Sequence, residues 1–477
     1  MTKKLATNKH GRPTDPDGTT GRLCDWIASF ELDSAPQSAR ERAKAITLDG
    51  IACAIVGAQL PASRIAANIV QRFEGKGDRS IVGWGTCTSA PGAALLNGTF
   101  IQSFELDDVH MRGPLHSASI ILPALWAIAE GETIYNGRQF LEAAMAGFEV
   151  GPRVGMSLNG GELLSRGWHS GSVIGTHAAA AAVGKLLGLD AARMEDALGM
   201  AGTQSAGLMA AQYEAMCKRM HHGFSSRNGM YAAVLAEGGY TGIKRVFERE
   251  YGGFLSTFGE GHSPVASRIT DGLGEVWEVE RILIKPYATM AGCHAPLDAL
   301  FEVGAQRTLK AEEIQHIECQ VTHSIFHHGW WVPQRPLESV GAQMNIGYGL
   351  AVALLDGAAL VKQYSPTRID SDDVWNLLPR IDVVHQPEFD NSGNLGRVRL
   401  LVTFTDGQVI EVNRTGSRAS EEPQSNAEIA AKYRGLTAGL ITSERQQKIE
   451  SAVAHLEELK DVRDLIALLA PPVDAPF

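Results

Sequence analysis

Residues 167–190 read GWHSGSVIGTHAAAAAVGKLLGLD. More than half of the residues after His169 in this stretch are alanine, glycine or leucine. Alanine is the strongest helix former, and a helix with mostly small side chains lets neighbouring helices approach closely. The stretch therefore predicts a helix inside a large bundle or at a subunit interface, and the second alternative favours a homo-oligomer.

The helical character extends on both sides of this stretch. From about Thr20 to Gly272, alanine, leucine, glutamate and arginine recur at spacings near 3.6 residues, which is the period of an α-helix. Few β-branched runs interrupt them. This half of the chain is predicted to be helical.

Near Val279 the sequence changes from helix-forming patterns to patterns typical of strands. Residues 280–287 and 316–324 are short runs typical of strands, and residues 343–355 predict a longer helix after them. Residues 398–412 alternate apolar and polar side chains around the turn-forming pair Asp406-Gly407, which predicts a hairpin. The chain then returns to helix.

These changes divide the chain into parts. We predict a mainly α fold in which residues 21–278 and 415–477 form one large all-helical domain. Residues 279–414 are predicted to form a smaller α+β domain inserted into it. Residues 1–20 are polar with glycine and proline and are expected to be a disordered tail.

Composition excludes several classes of protein. The 477 residues carry a net charge of −11, and 44% are hydrophobic and 20% charged, which is the balance of a globular chain. Lysine and arginine do not form a face with interleaved aromatics, which argues against a nucleic-acid partner. Six cysteines without a C-x-x-C pair indicate neither a zinc site nor a disulfide framework and fit a reducing compartment.

The sequence gives no sign of a membrane partner. Its apolar runs are too short to cross a bilayer, and the N-terminal residues lack the apolar core of a signal peptide. A cytoplasmic location is therefore expected, with a mitochondrial location as the alternative. Phosphate-binding loops, a G-x-G-x-x-G after a strand, G-x-S-x-G and H-E-x-x-H are also missing from the sequence, so nucleotide, serine-hydrolase and common zinc chemistries lose support.

A carboxylate-rich segment is the first candidate site. Residues 104–110, FELDDVH, place three carboxylates within four residues, and His110 and His116 follow six residues apart. Such a set could bind a divalent metal or arrange a proton relay. The alternative is a helix end that runs into a solvated loop.

A basic segment is the second candidate. Residues 217–224, CKRMHHGF, bring Lys218, Arg219 and two histidines within five residues. Lysine as a point charge and histidine as a donor or acid suit a ligand rich in carboxylates. A basic surface patch is the alternative reading.

Three further positions are weaker candidates. His169 lies in a glycine-containing loop that lets a ligand approach closely, or it caps the helix that follows. Lys285 and His294 follow the predicted strand 280–287, where a strand-end turn is the alternative. Tyr348 stands alone in the predicted helix 343–355 and indicates nothing without further support.

Taken together, these clusters resemble the MmgE/PrpD family. The resemblance runs over nearly the whole chain after about residue 20 and is most specific for the fungal members that decarboxylate cis-aconitate. Five blocks appear in the family's order: LLNGTFIQSFELDD (95–108), HSASIILPALWAIAE (116–130), GWHSGSVIGTHAAAAAVGKLLGLD (167–190), KRMHHGFSSRNGMYAAVLAEGGYTG (218–242) and KPYATMAGCHAPLDAL (285–300).

The resemblance implies a fold and a set of site residues. The α+β domain would act as a lid over a cleft, the protein would be a homodimer, and the reaction would need no metal or organic cofactor. Glu105 stands where the family usually has aspartate, and Val109 stands where it usually has threonine. The implied catalytic residues are His116, His169, Lys218, His294 and Tyr348. The implied substrate-binding residues are Glu105, Asp108, Lys218, His222 and Lys285.

The implied activity is the conversion of a small tricarboxylate, cis-aconitate, to itaconate and carbon dioxide, with a proton delivered at the allylic carbon. Dehydration of 2-methylcitrate or a related hydroxy-tricarboxylate is the alternative within the family. A ligand-binding paralogue without catalysis is the alternative from another class.

Overall fold

More than half of the chain is helical. The computed structural model describes residues 11–390 and 396–477. Helices contain 58% of the residues and strands 9%, which confirms the predicted mainly α class. The helices of the first part are α1 (Thr19–Ser29), α2 (Gln37–Gly57), α3 (Pro61–Glu74), α4 (Ala90–Gln102), α5 (Ala118–Ala129), α6 (Gly137–Ser157), α7 (Gly160–Ser165), α8 (Ser170–Leu187), α9 (Ala191–Gly202), α10 (Cys217–Glu237) and α11 (Phe254–Phe258).

Helix α8 lies at the centre of this part. It is buried from Ser170 to Gly184 and packs against α5, α6, α9 and α10. A Cβ atom at Gly223 of α10 would lie 2.1 Å from the carbonyl oxygen of Leu95 in α4, so only glycine fits where these two helices meet. The prediction of close contact between helices with small side chains is confirmed.

Within the described residues, the strands form three small sheets. Short pairs join β1 (Arg79–Ser80) to β2 (Cys87–Thr88) and β3 (Asp108–His110) to β4 (Ile282–Ile284). The remaining elements follow in chain order: α12 (His294–Gln306), β5 (Ile314–Val321), α13 (His323–Gly329), α14 (Ser339–Met344), α15 (Ile346–Asp356), α16 (Pro366–Ile369), α17 (Asp372–Leu377), β6 (Ile381–His385), β7 (Val398–Phe404), β8 (Val409–Arg414), α18 (Arg418–Glu421), α19 (Asn426–Thr437), α20 (Ser443–Ala454) and α21 (Arg463–Leu469).

The largest sheet has the strand order β6-β5-β7-β8. Strand β5 pairs parallel with β6 and antiparallel with β7. Strands β7 and β8 form the predicted hairpin, and β7 alternates buried with half-buried residues because α12 packs against one face. Gly407 adopts a positive φ of 86° in the turn, a conformation that glycine adopts without strain. Strand β6 was not predicted.

Three local predictions are wrong, two on secondary structure and one on the N-terminal tail. Strand β4, expected to open the α+β part, pairs instead with β3 of the helical part. The predicted single helix at 343–355 is two helices, because Asn345 breaks it and accepts a hydrogen bond from the Tyr348 amide as the cap of α15.

The predicted disordered tail is also shorter than expected. The first ten residues lie outside the described part of the chain. From Gly11 onward the chain packs on α9, where the amide and hydroxyl of Thr14 both donate to Glu195 at 2.9 Å. Helix α1 begins at Thr19.

The C-terminal helices return to the N-terminal ones, as predicted. Helices α19 and α20 pack against α2, and Lys432 of α19 forms an ion pair with the buried Asp49 of α2 at 2.7 Å. Within residues 11–390 and 396–477, no individual helix has the length and apolarity needed to span a membrane, although the bent pair α2 and α3 passes by length and composition alone.

A glycine pair tests the packing of the helical part. Gly223→Ala should lower the free energy of unfolding by more than about 2 kcal/mol, because the new methyl group overlaps the Leu95 carbonyl. Gly435→Ala in α19 is the matched control. That position has open space around it, so the change should leave stability equal or raise it by up to about 1 kcal/mol. Urea unfolding measures both, and equal effects would contradict the packing described here.

Candidate active site

A cleft of about 580 Å³ lies between the helical part and the α+β part. Its polar end carries Glu105, His116, His169, Lys218 and Lys285. The lining also includes His327 and His328 of α13, and Thr415 and Ser417. Polycarboxylates need positive groups and donors inside such a cleft, so the polar end is the candidate site.

The carboxylate of Glu105 organises the polar end. It is buried just beyond the end of α4 and forms ion pairs with Lys218, with Arg219 Nη1 at 2.5 Å and with Lys285 Nζ at 2.8 Å. Gln102 Nε2 also donates to it at 3.0 Å. The backbone of Glu105 has a φ of 53°, in the left-handed region that non-glycine residues rarely adopt. The three cations hold this side chain in spite of that backbone strain.

The charges of this cluster are strongly coupled. Burial works against ionisation of Glu105, but Lys218, Lys285 and Arg219 hold its pKa well below the usual value. Burial lowers the pKa of Lys218 to about 8, and the charges of Arg219 and Lys285 act in the same direction against the attraction of Glu105. Glu105 therefore neutralises one of three neighbouring cations, and the cluster keeps positive charge for a ligand.

Several of the site's side chains lie at or just before the N-terminus of a helix. Lys218 and Arg219 lie in the first turn of α10, His169 is the residue before α8, and His116 lies two residues before α5. The amino end of a helix carries unpaired N–H groups and a partial positive charge. The starts of α8 and α10 meet at the polar end of the cleft and add to its attraction for anions, whereas the start of α5 is already capped by Asp108.

Four imidazoles stack behind and beside the cations. The His222 ring lies 5.0 Å from the rings of both His116 and His169, and His169 Nδ1 is 2.8 Å from His221 Nδ1. His222 Nδ1 pairs with the Ser119 hydroxyl at 2.9 Å. Burial and the nearby positive charges lower the pKa of His169 and His222 well below the usual value and that of His221 to about 4. These three rings are neutral at pH 7.

Gly171 makes room for this stack. A Cβ atom at this position of α8 would lie 2.5 Å from His222 Nε2. His222 itself is fully buried behind His116 and His169 and does not line the cleft. The structure thus gives His222 a place in the support of the site, where the sequence analysis expected contact with substrate.

Asp107 and Asp108 have different surroundings. Asp107 Oδ1 lies 3.3 Å from His116 Nδ1 and 4.0 Å from Lys285 Nζ. Asp108 accepts hydrogen bonds from the amides of Ser117 and Ala118 at 2.7 and 2.9 Å and so caps the start of α5. Burial raises the pKa of Asp108 to about 8, and the charge of Asp107 adds to this shift. Asp108 is a helix cap here and not the substrate ligand that was predicted.

Two predicted catalytic residues lie outside the cleft lining. His294 begins α12, and its Nε2 donates to the Thr289 carbonyl at 3.2 Å. Burial lowers the pKa of His294 to about 3. The hydroxyl of the buried Tyr348 donates to the Gln363 carbonyl at 2.7 Å. Neither group is presented to a ligand in the cleft, so their predicted catalytic roles are not supported by the geometry.

Other functional side chains were missed. Arg219 was named only as part of a basic segment, although it contacts Glu105 directly. Gln343 accepts from Arg219 Nη2 at 2.6 Å, while its own amide donates to the Phe104 and Ala288 carbonyls. His327 and His328 were signalled by the paired histidines in THSIFHHGW, but no sequence pattern marks Gln343.

The residues of segment 104–110 do not converge on one point. His110 pairs with Glu278 at 3.0 Å and accepts from the Gly113 amide, away from Glu105. Among the described residues, no three histidine, cysteine, aspartate or glutamate side chains are grouped so that they could hold a metal ion.

Comparison with known proteins assigns the family. Residues 21–266 match the MmgE/PrpD N-terminal domain and residues 287–458 match the MmgE/PrpD C-terminal domain. The chain belongs to the MmgE/PrpD family, as the five sequence blocks predicted.

Named relatives lie within the same family. A cis-aconitate decarboxylase-like protein of Aspergillus oryzae is 43% identical over 95% of this chain and 98% of its own length. A cis-aconitate decarboxylase of Aspergillus terreus is 40% identical over 96% of this chain and 97% of its own length. The human cis-aconitate decarboxylase is 25% identical over 91% of this chain and 90% of its own length. The likeness to fungal members predicted from the sequence is confirmed.

The Glu105 cluster gives a test of the site. Glu105→Gln should lower the free energy of unfolding by about 3 kcal/mol, because three buried cations lose their shared anion. Adding citrate should restore part of this loss, because its carboxylates replace the missing charge. The control is Glu313→Gln, which makes the same chemical change at a half-buried surface ion pair with Arg307 and should have a much smaller effect. Equal losses in urea unfolding would contradict the cluster.

Proposed function

We propose that this protein is a carboxy-lyase that converts cis-aconitate to itaconate and carbon dioxide. The observation that carries the proposal is the excess of buried cations over anions beside His116 in one cleft. The family and the relatives named as cis-aconitate decarboxylases support it. The relative of Aspergillus oryzae, named only as decarboxylase-like, supports the same class.

Binding is electrostatic in this proposal. The substrate brings three carboxylates, and the three cations Lys218, Arg219 and Lys285 outnumber the two carboxylates beside them, Glu105 and Asp107. Because the side chains of Lys218, Arg219 and Lys285 are buried, their charges act more strongly than at an exposed surface. The departing carboxylate leaves as neutral carbon dioxide, so the site is expected to hold the other two carboxylates through the reaction.

The chemistry needs one proton and no redox change. The bond between the departing carboxylate and the methylene carbon breaks, and its electron pair forms the new double bond. The electrons of the old double bond move to the far vinyl carbon, which takes a proton. We assign the donation of this proton to His116, because it lines the cleft and the Asp107 carboxylate lies beside its Nδ1 as an orienting partner.

The assignment of His116 is tested by product analysis. The purified protein should produce itaconate from cis-aconitate in an NMR assay, and His116→Gln should lower kcat by about 100-fold or more. Tyr348→Phe should keep kcat within about threefold, because the hydroxyl that it removes contacts only backbone at Gln363. Wild-type activity in His116→Gln, or an inactive Tyr348→Phe, would overturn these roles.

The pH dependence of kcat/KM tests the binding charge. With a pKa of about 8, Lys218 is cationic below that pH and neutral above it. The carboxylates of the substrate stay ionised throughout this range, so kcat/KM should fall as pH rises above about 8. Lys218→Arg keeps the charge and should remove the share of the fall that comes from Lys218, whereas a share that comes from loss of the proton on the donor His116 should remain. A constant kcat/KM up to about pH 9.5 in the wild type would contradict the role of Lys218.

Dehydration of 2-methylcitrate is the second candidate. Part of the cleft wall is apolar, with Val109, Met209, Met290 and Ile325 facing it. Val109 points into the cleft because its strand neighbours Asp108 and His110 point the other way. Such a wall would accept the methyl group of 2-methylcitrate. Dehydration of 2-methylcitrate without itaconate formation from cis-aconitate would favour this candidate, and cis-aconitate binding without turnover would favour a non-catalytic paralogue.

A further inference from the structure

The C-terminal part of the chain reaches the backbone of the site. Lys432 of α19 donates from Nζ to the carbonyl of Leu106 at 2.6 Å and forms its ion pair with Asp49 of α2. Leu106 stands between Glu105 and Asp107 in the sequence, so this contact holds the backbone that joins the two carboxylate-bearing residues. Lys432 does not line the cleft.

The two carboxylates differ in what holds them. Glu105 is fixed through its own side chain by Lys218, Arg219 and Lys285. Neither carboxylate oxygen of Asp107 has a hydrogen-bond partner among residues 11–390 and 396–477, although His116 Nδ1 lies 3.3 Å away. The position of the Asp107 carboxylate therefore depends on the backbone that carries it.

That backbone is under local strain. Glu105 has its positive φ immediately before Leu106, and a residue in this region persists only where its surroundings hold it. Release of the Leu106 carbonyl would let the chain relax next to Asp107. The first effect would be a change in the distance and angle between Asp107 and His116.

Helix α2 holds the other side of the same region. Arg42 donates to the carbonyl of Ile282 through Nη2 at 2.5 Å and to that of Gln424 through Nη1 at 3.0 Å. Ile282 belongs to β4, which pairs with β3 directly after the carboxylate segment. Helices α2 and α19 thus each hold backbone near the site through a basic side chain, and Lys432 supplies the hydrogen bond to segment 105–107.

We propose that Lys432 is a positioning residue for the reaction. Its ammonium group fixes the Leu106 carbonyl and through it the Asp107 carboxylate beside His116. The kinetic part of this proposal rests on the proposed decarboxylase function. Because Lys432 does not touch substrate, its loss should lower kcat and leave KM nearly unchanged.

Three variants separate this role from a merely structural ion pair. Asp49→Asn breaks the ion pair but keeps the Lys432 donor to Leu106. Lys432→Met removes the donor and leaves Asp49 buried without its cation. The double variant Lys432→Met with Asp49→Leu replaces the pair by apolar side chains, an exchange that proteins often tolerate without loss of stability.

The expected results differ according to whether a variant loses the Lys432 hydrogen bond to Leu106 or only the ion pair with Asp49. Lys432→Met and the double variant should each lower kcat at least about tenfold, with KM within about threefold of the wild type. Asp49→Asn should keep kcat within about threefold even if its melting temperature falls. Lys432→Arg, which can still donate to Leu106, should recover most of the activity lost in Lys432→Met.

The double variant decides the outcome even if Lys432→Met does not fold. A folded double variant with wild-type kcat would overturn the proposal, because it would reduce Lys432 to one half of a structural ion pair. An equal fall of kcat in Asp49→Asn would overturn it as well.

A measurement without substrate keeps this proposal separate from the proposed function. If the wild type forms no itaconate, the decarboxylase assignment fails on its own. The ¹⁵N chemical shifts of His116 in histidine-labelled protein then test the positioning role. They should change in the double variant and stay unchanged in Asp49→Asn, and unchanged shifts in the double variant would contradict it.

Discussion

The carboxylate of Glu105 is enclosed by Lys218, Arg219 and Lys285, which come from two distant parts of the chain. Lys218 and Arg219 belong to the first turn of α10, and Lys285 follows the strand β4. Charges of one sign can be buried together only where an opposite charge is shared among them. Glu105 therefore lets three buried cations stay close together, and the remaining positive charge is what an anionic ligand meets at Lys218 and Lys285 in the cleft lining.

The fold supplies the surroundings that this cluster needs. Small residues in α4, α8 and α10 bring these helices close enough for Glu105 and Lys218 to meet, and the contact at Gly223 shows how little space remains. The same compactness buries three imidazoles, those of His169, His221 and His222, which stay neutral. Of the described histidines that line the cleft, His116 is the one with an ion pair to a carboxylate, Asp107. The site thus contains one ring suited to proton delivery and several that shape and support it.

Part of this could be predicted from the sequence. The alanine-rich α8, the hairpin β7–β8 and the return of the C-terminal helices follow from local periodicity and turn residues. The residues Glu105, His116, His169, Lys218 and Lys285 were identified and do meet at one cleft. Their meeting depends on contacts between distant segments, which periodicity does not describe, so it came from the family resemblance.

The roles of the other site residues depend on the direction in which each side chain points, which the sequence does not reveal. Of two adjacent aspartates, Asp107 lies beside His116 and Asp108 caps a helix, and this choice is set by the pairing of β3 with β4 far along the chain. Tyr348 and His294 occupy positions matched to the family, but the hydrogen bonds of their polar atoms run to backbone carbonyls. Gln343 and Lys432 act through backbone contacts that no sequence motif marks.

A crystal structure of the protein with bound cis-aconitate tests the central claim most directly. The account predicts that a substrate carboxylate lies within hydrogen-bonding distance, about 3 Å, of Lys218 or Lys285, and that His116 is the imidazole nearest to the carbon that takes the proton. Cis-aconitate bound outside this cleft, or bound in it with its carboxylates away from both lysines, would contradict the account.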